Sequence, residues 1–481
     1  MASPPRTIGG LQLARLLGEL PAERPFYSVL ARAIRGLILD GGLALRVRLP
    51  AERDLAAALG VSRTTVTAAY DALRAEAFIQ SRQGAGSWTA LPRGRTSRMP
   101  QAGAAAVYGM AEPEIDLGSA APGAPELFDE AVADAVAQLP GHTTGPGYDP
   151  AGLGRLRETV AARYTARGLP TRPEQIMITA GAQHALNLLV EELMSPGDRV
   201  LVESPTYPHA LDALRRRGAR LIPVGVNAGW DVELIATSMR QTAVRFAYVN
   251  ADFHNPTGRL MDDGRRAALV AAVKEVGGYL VVDETFAELA LDEGAMPRPL
   301  AAHDTDGRVI SIGSAAKVFW GGLRIGWIRT TPPMARRLAT LRESLDLASP
   351  VLEQLIVTEL LLRVEEVRAE RVALLREGRG ALVTALGAAL PDWEFTVPRG
   401  GMSLWTRLPA PASSALAGVA ARLGVRIVPG PLFGLDGLLE DYVRLPYVQP
   451  PDVLRDAVER LARAYHSVET AAAPRSLPSY V

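Results

Sequence analysis

Cysteine is absent from the 481 residues, and lysine occurs only twice, at Lys274 and Lys317, against fifty arginines. Without cysteine there is neither a disulfide framework nor a thiolate metal site, and the chain suits a reducing compartment. No uncharged apolar run is long enough to span a bilayer. The opening Met1-Ala-Ser-Pro-Pro-Arg6 has no apolar signal core, so the expectation is a soluble, cytoplasmic protein that engages no membrane. The shortage of lysine says more. Arginine carries charge, pairs with carboxylates and holds phosphates, but its guanidinium stays protonated and cannot act as an amine nucleophile. A lysine kept in so arginine-biased a chain is a candidate for amine chemistry, above all a Schiff base to an aldehyde. Lys274 falls in a helical stretch, Arg265 to Lys274, and reads as a solvated surface residue. Lys317 follows an apolar strand, in Ser311-Ile-Gly-Ser314-Ala-Ala-Lys317-Val-Phe-Trp-Gly-Gly-Leu-Arg324.

A formal net charge of zero hides an asymmetry. Between Arg24 and Arg98 there are twelve arginines and no lysine against Asp40, Glu52, Asp54, Asp71 and Glu76, a net charge of +7. A basic head on an acidic body implies an anionic partner for the head, nucleic acid first, although chance segregation of charge gives the same count.

The head, residues 24–90, carries three helical patterns. The first spans about Phe26 to Asp40, with Leu30, Ile34, Leu37 and Ile38 on one face. The second starts near Pro50 and ends at Leu59, with Gly60 free to take the left-handed turn that stops a helix. Ser62 is placed to cap the third, about Arg63 to Ala77, which buries Val66, Tyr70 and Leu73. Two short strands, Phe78 to Arg82 and Ser87 to Thr89, flank a Gly84-Ala-Gly86 turn. Helix, tight turn, helix and β-hairpin form the plan of a winged helix-turn-helix, which sets the N-terminal side chains of its second helix against base edges in a major groove. Ser62, Arg63, Thr64 and Thr65 occupy that position, Arg63 suited to a guanine edge and the threonines to bases or phosphates. The stretch Leu49-Pro-Ala-Glu-Arg53-Asp-Leu-Ala…Leu-Gly-Val-Ser62-Arg63-Thr-Thr-Val…Tyr70…Leu73 resembles the GntR family of bacterial transcriptional regulators. That resemblance implies double-stranded operator DNA as partner, with Arg53, Arg63 and Thr65 as contacts and Gly84–Gly86 as the wing tip. Arg53 has an alternative as a surface ion pair with Glu52 or Asp54, and Gly84-Ala-Gly86 could be read as a phosphate loop, although the flanking strands favour a turn.

Residues 91–112 have no period and are rich in proline, glycine and arginine, which reads as a linker. Its Arg93, Arg95 and Arg98 could touch DNA phosphates or simply be solvated. The tail beyond about Glu469 also reads as unstructured. In the body, 113–470, with a large domain over about 140–335, apolar strands alternate with helical patterns. Strands are expected at Gln175–Thr179, Arg199–Val202, Phe246–Asn250, Tyr279–Val282 and Val309–Ile312, and a helix at Ala182–Met194. This pattern predicts an α/β fold with a largely parallel sheet, whose ligands bind beyond the carboxyl ends of the strands.

Each such end carries a polar candidate. Gly181-Ala182-Gln183 opens a helix and offers free backbone N–H groups to a phosphate. Tyr207 could stack on a flat ring. The Asn255 amide, in Asn255-Pro-Thr-Gly, can donate to a phenolate oxygen. Asp283 can hold a pyridinium nitrogen protonated, making the ring an electron sink. Ser314 and Arg324 bracket Lys317, and Arg324 can clamp a phosphate. Each also has a bland reading: a turn at Asn255, a helix cap at Asp283, a strand-to-helix joint at Gly181.

Taken in this order, these residues resemble the class I aminotransferases of fold type I. The resemblance implies pyridoxal 5'-phosphate as cofactor, bound as a Schiff base on Lys317. Gly181, Ala182, Gln183, Ser314 and Arg324 would then hold its phosphate, Tyr207 would stack on the ring, Asn255 would meet the ring oxygen and Asp283 the ring nitrogen. It further implies that Arg444, in Tyr442-Val-Arg444-Leu-Pro-Tyr, grips a substrate carboxylate, and that Tyr148 serves the neighbouring subunit's site in a homodimer. The sequence departs from the family at Phe286, where a tyrosine usually follows the ring aspartate; phenylalanine cannot donate to the ring oxygen, Thr285 could do so only at shorter reach, and weak transamination is expected. Head, linker and body together resemble the MocR/GabR family of bacterial regulators, which implies a PLP-dependent transcriptional regulator answering to an amino-acid-like effector or to the cofactor itself. A working aminotransferase with an accessory DNA-binding head is the alternative.

Overall fold

The computed structural model describes residues 6–21, 24–82, 86–92 and 114–472. Gly84 and the linker arginines Arg93, Arg95 and Arg98 lie outside the described residues. In the head, helices Phe26–Leu39, Glu52–Leu59 and Arg63–Ala75 form as the periodicity predicts. Gly60 ends the second at φ +66°, and Ser62 Oγ accepts the Thr65 amide at 3.1 Å to begin the third. Strands Ile79–Arg82 and Gly86–Thr89 pair antiparallel. The head also draws on residues ahead of Arg24: strand Arg6–Thr7 pairs parallel with Val47–Arg48, and helix Gly10–Leu17 adds Leu13 to the core. Ile8, Leu13, Leu30, Ile34, Ile38, Leu55, Val66, Tyr70 and Leu73 pack into that one cluster. Truncating a side chain such as Leu30 to alanine there costs about 2–5 kcal/mol.

The body is built on a seven-stranded sheet ordered Ile176–Thr179, Gly326–Arg329, Val309–Ser314, Tyr279–Asp283, Phe246–Val249, Arg199–Ser204, Arg220–Gly225. All neighbours are parallel except around Gly326–Arg329, which runs antiparallel to both its partners. Helix Ala182–Leu193 covers one face, and strands Ile176–Thr179, Phe246–Val249 and Val309–Ser314 are buried along their whole length. A second sheet, Glu394–Phe395, Ser403–Arg407, Tyr442–Pro446 and Val428–Pro429, belongs to a smaller unit. The 26-residue helix Val364–Ala389 packs there against helix Pro451–Ala472. The closing helix thus runs three residues past Glu469, where an unstructured tail was expected.

Head and body are packed together. The Leu439 amide donates to Leu39 O at 3.0 Å, and Asn227 Nδ2 donates to Asp40 O at 2.7 Å. Arg15 pairs with Glu233 at 2.7 Å. Gly42 and Gly225 meet so closely that a Cβ on Gly225 would lie 2.5 Å from the Gly42 Cα.

Candidate functional site

Lys317 sits just beyond the strand Val309–Ser314, half-buried, with Nζ donating to Ala120 O at 2.8 Å. Burial, with the positive charges of Arg444 and Arg324, lowers its pKa to about 8, against the opposing pull of Asp283. At neutral pH roughly a tenth of such an amine is uncharged and nucleophilic, far more than for an unperturbed lysine. The same charges act on the Tyr207 hydroxyl, whose pKa rises to about 12 mainly through burial and then through Asp283. Asp283, Arg324 and Arg444, drawn from separate parts of the sequence, therefore lie within electrostatic reach of both Lys317 and Tyr207.

Asp283 ends its strand almost fully buried. Tyr248, on the adjacent strand, donates to its Oδ2 at 2.7 Å, and the Thr285 amide donates to Oδ1 at 3.0 Å. Burial and the nearby Asp283 charge push the Tyr248 hydroxyl well above its usual pKa, so it remains a donor. Tyr248 is a site residue that sequence reasoning missed. Its apolar strand, Phe246-Ala-Tyr-Val249, reads as core, and only the parallel register of that strand with Tyr279–Asp283 brings the hydroxyl to the carboxylate.

Gly181 has φ +89° and caps the helix Ala182–Leu193. A Cβ there would stand 2.7 Å from Arg324 Nη2, so glycine is required by conformation and by the approach of the guanidinium. Arg324 Nη2 donates to Ala180 O at 3.3 Å and holds that approach. The first-turn amides of the helix have no intrahelical acceptor. Gln183 Oε1 is buried without a hydrogen-bond partner among the described residues. The Ser314 hydroxyl accepts the Ala316 amide at 3.1 Å, fixing the turn that leads to Lys317.

Arg444 is buried. Nη1 donates to Asn255 Oδ1 at 3.3 Å, Nη2 to Gly118 O, and its guanidinium lies 5.0 Å from the centroid of the Phe433 ring. Nε has no hydrogen-bond partner, and no carboxylate pairs with it among the described residues. Burial lowers its pKa to about 10. A cation so enclosed is met among the described residues only by neutral acceptors, which leaves its charge without a counter-ion. Gly118 and Ala120 both meet the site through main-chain carbonyls, which no side-chain pattern reveals. Phe286 is buried, its ring centroid 5.6 Å from Lys317 Nζ, and the tyrosine hydroxyl bonded to a site residue is that of Tyr248, on Asp283. Tyr148 is not drawn in: it is 67 % exposed and makes no hydrogen bond among the described residues.

On the head, the Arg63 side chain is 73 % exposed and paired with Glu52 at 3.3 Å. Glu52 also accepts from Thr67 Oγ1 at 2.8 Å, so one carboxylate ties the second helix to the third. Arg53 is more exposed still and forms a surface ion pair with Asp54 at 3.2 Å. Ser62 Oγ is within 2.7 Å of Thr64 Oγ1 and 2.8 Å of Thr65 Oγ1, which makes it first a cap that orders this helix start. Gly86, at φ +113°, opens the second hairpin strand.

A basic helix-turn-helix head joined to a body with a lysine, an aspartate and an arginine near the strand ends of its main sheet, and a second arginine from its small sheet, defines a two-part class of protein: a DNA reader fused to a cofactor enzyme's scaffold. Residues 113–461 match the class I and II aminotransferases, and residues 26–88 match the gntR family of bacterial regulatory proteins. The chain is 33 % identical over 308 residues to 2-aminoadipate transaminase of Thermus thermophilus, covering 63 % of this chain and 78 % of the relative. It is 32 % identical over 347 residues to the probable rhizopine catabolism regulatory protein MocR of Rhizobium meliloti, covering 66 % and 68 %. With the HTH-type transcriptional regulator TauR of Rhodobacter capsulatus it shares 28 % identity over 90 % of this chain and 96 % of the relative. The crystal structure of the α-aminoadipate aminotransferase LysN from Thermus thermophilus, complexed with N-(5'-phosphopyridoxyl)-L-leucine, superimposes with a TM-score of 0.68 at 32 % identity, over 74 % of this chain and 93 % of that one. The protein belongs to the class I and II aminotransferase family through its body and carries a GntR-type head, the composite found in MocR-type transcriptional regulators.

Proposed function

We propose that this protein is a cytoplasmic, homodimeric transcriptional regulator that binds pyridoxal 5'-phosphate on Lys317 and an amino-acid-like effector through Arg444. The observation that carries the reading is the convergence of Lys317, Asp283, Tyr207, Arg324 and Arg444 in a body joined to a DNA-reading head. The donor set fits the cofactor. Gly181, the free first-turn amides of its helix, the Gln183 amide nitrogen and Arg324 suit its phosphate, with the Arg324 guanidinium approaching a Gly181 that could not carry a Cβ. Asp283 suits a ring nitrogen, Tyr207 a ring face, and the Asn255 amide nitrogen a ring oxygen. When bound, the cofactor supplies an aldehyde for Lys317 and an electron-withdrawing ring. This chain's own residues do the rest: Lys317 offers an amine that is easily deprotonated, Tyr248 and the Thr285 amide fix Asp283, and Arg444 orients a carboxylate.

Phe286 supports regulation over turnover, because its side chain carries no hydroxyl where the family usually supplies a tyrosine's to the ring oxygen. Tyr148, exposed on its own chain, suits the role of a residue lent to a second copy. Arg53, Arg63, Thr64 and Thr65 suit DNA contact. The test is a parallel measurement of DNA affinity and of transamination, with PLP and a panel of amino acids. Effector-dependent DNA binding with negligible turnover is the expected outcome. Rapid turnover with DNA affinity indifferent to every ligand would instead favour an enzyme with an accessory head.

A further inference from the structure

Between the carboxylate clamp and the head runs an unbroken line of packed side chains. Arg444 and Trp405 are cross-strand partners in the small sheet, so their side chains leave the same face. Phe433 covers both: its ring lies 5.0 Å from the Arg444 guanidinium and meets Trp405 edge-on at 5.4 Å. Trp405 stacks on Tyr442 at 5.0 Å. Its indole Nε1 donates to Asn227 Oδ1 at 2.9 Å, and Asn227 Nδ2 donates to Asp40 O, at the C-terminus of the first long head helix.

Two side branches join the same node. Arg259, just past the Asn255-Pro-Thr-Gly turn, donates through Nε to Asn227 O at 2.7 Å. Phe433 O accepts the Thr206 amide at 2.8 Å, one residue before Tyr207. Leu45 of the head and Leu91, the first residue of the linker that follows it, pack on the cluster of Trp405, Phe433, Leu438 and Leu439.

We propose that Trp405 is a positioning residue that couples the Arg444 clamp to head docking, with Asn227 as the hydrogen-bonded switch between them. The inference rests on reading Arg444 as the carboxylate clamp. A close-packed stack passes on a small displacement instead of absorbing it. A carboxylate at Arg444 competes with Asn255 Oδ1 and Gly118 O for the guanidinium, and any shift of that group bears on Phe433 and then on the indole. The indole's N–H fixes the orientation of the Asn227 amide, and that orientation decides whether the Asp40 carbonyl has its donor. Spatial continuity alone does not prove coupling; non-additivity does.

The experiment is a double-mutant cycle on the full chain loaded with PLP, read by hydrogen exchange over residues 37–45. The variants are Trp405→Phe, Asn227→Asp, Arg444→Gln, and Arg444→Gln combined with each of the others. Trp405→Phe keeps an aromatic ring against Tyr442 but removes the indole N–H. Asn227→Asp keeps the acceptor for Trp405 but removes the donor to Asp40. Each single variant is expected to speed exchange over 37–45 at least tenfold, and each double variant no more than its faster single. Trp405→Phe and Asn227→Asp should leave the visible absorption of bound cofactor unchanged. Unchanged exchange in Trp405→Phe or Asn227→Asp, or effects that multiply in the doubles, would overturn the coupling. Loss of cofactor absorption in the unaltered protein would strike the functional reading, while the exchange cycle would still decide the relay.

Discussion

Lys317 and Phe286 show how two side chains 5.6 Å apart divide the chemistry of the site. The amine of Lys317 titrates near 8, because burial and two arginines disfavour its charged form more than Asp283 favours it. The neutral amine attacks an aldehyde, so the rate of PLP capture by the cofactor-free protein should rise as pH increases through about 8. Stopped-flow absorbance between pH 6.5 and 9.5 reads this directly, and a flat profile would mean the amine is not so perturbed. Phe286 supplies packing and no donor. Phe286→Tyr is expected to raise the rate of the first half of transamination on the order of tenfold, since an added donor to the ring phenolate shifts the proton affinity of the bound imine by about one pKa unit. Single-turnover spectra with a reactive amino acid are the check, and no gain would show that something other than the missing hydroxyl limits turnover. The chemistry at this scale was largely legible: Lys317, Asp283, Asn255 and Arg324 each follow an expected strand. Tyr248 was not, because a buried tyrosine in an apolar strand looks like core until register gives its hydroxyl a partner. Gly118 and Ala120 were hidden because carbonyl acceptors carry no side-chain signature.

Among the elements, the helix Arg63–Ala75 has the clearest prediction. Arg63 projects from its first turn, largely exposed and held by Glu52. Arg63→Ala should cost about 1–3 kcal/mol on the preferred sequence if the guanidinium reads a guanine edge. Equal weakening on random duplex, with a shallower salt dependence, would make it a phosphate contact instead. The three head helices and five of the seven central strands were expected from periodicity and β-branched runs. The two strands that were not have physical reasons. Arg220–Gly225 contains Pro223, which argues against a strand except at a sheet edge, and the edge is where it lies. Gly326–Arg329 is four residues long, begins with glycine and runs against its neighbours, a direction that no strand–helix alternation announces.

For the whole molecule the question is how the head is held. Asp40 lies at that junction, and burial raises its pKa to about 6; the nearby Asp441 pushes it further up, while the Gly42 amide and Arg407 oppose. Asp441 and Arg407, whose charges reach its carboxyl, belong to the body, so docking sets part of that environment. An acid whose pKa is raised on docking favours proton uptake. Docking is therefore strongest below about pH 4 and weakens as pH rises toward 6, by at most about 3 kcal/mol at one pKa unit per 1.4 kcal/mol. Hydrogen exchange over residues 37–45 should accordingly be slower at pH 5 than at pH 7 after correction for intrinsic rates, and Asp40→Asn should flatten the difference. Two compositionally distinct halves were plain from charge alone. Their contact was not, because it is made by Leu39, Asp40, Asn227 and Leu439, residues whose types announce nothing.

The most direct measurement is borohydride reduction of the PLP-loaded protein followed by peptide mass mapping. With only two lysines in the chain, the result is close to binary. The account predicts a stable pyridoxyl adduct on Lys317 and none on Lys274, which lies on the surface paired with Asp306 at 3.1 Å. An adduct on Lys274, on both lysines equally, or on neither would contradict it.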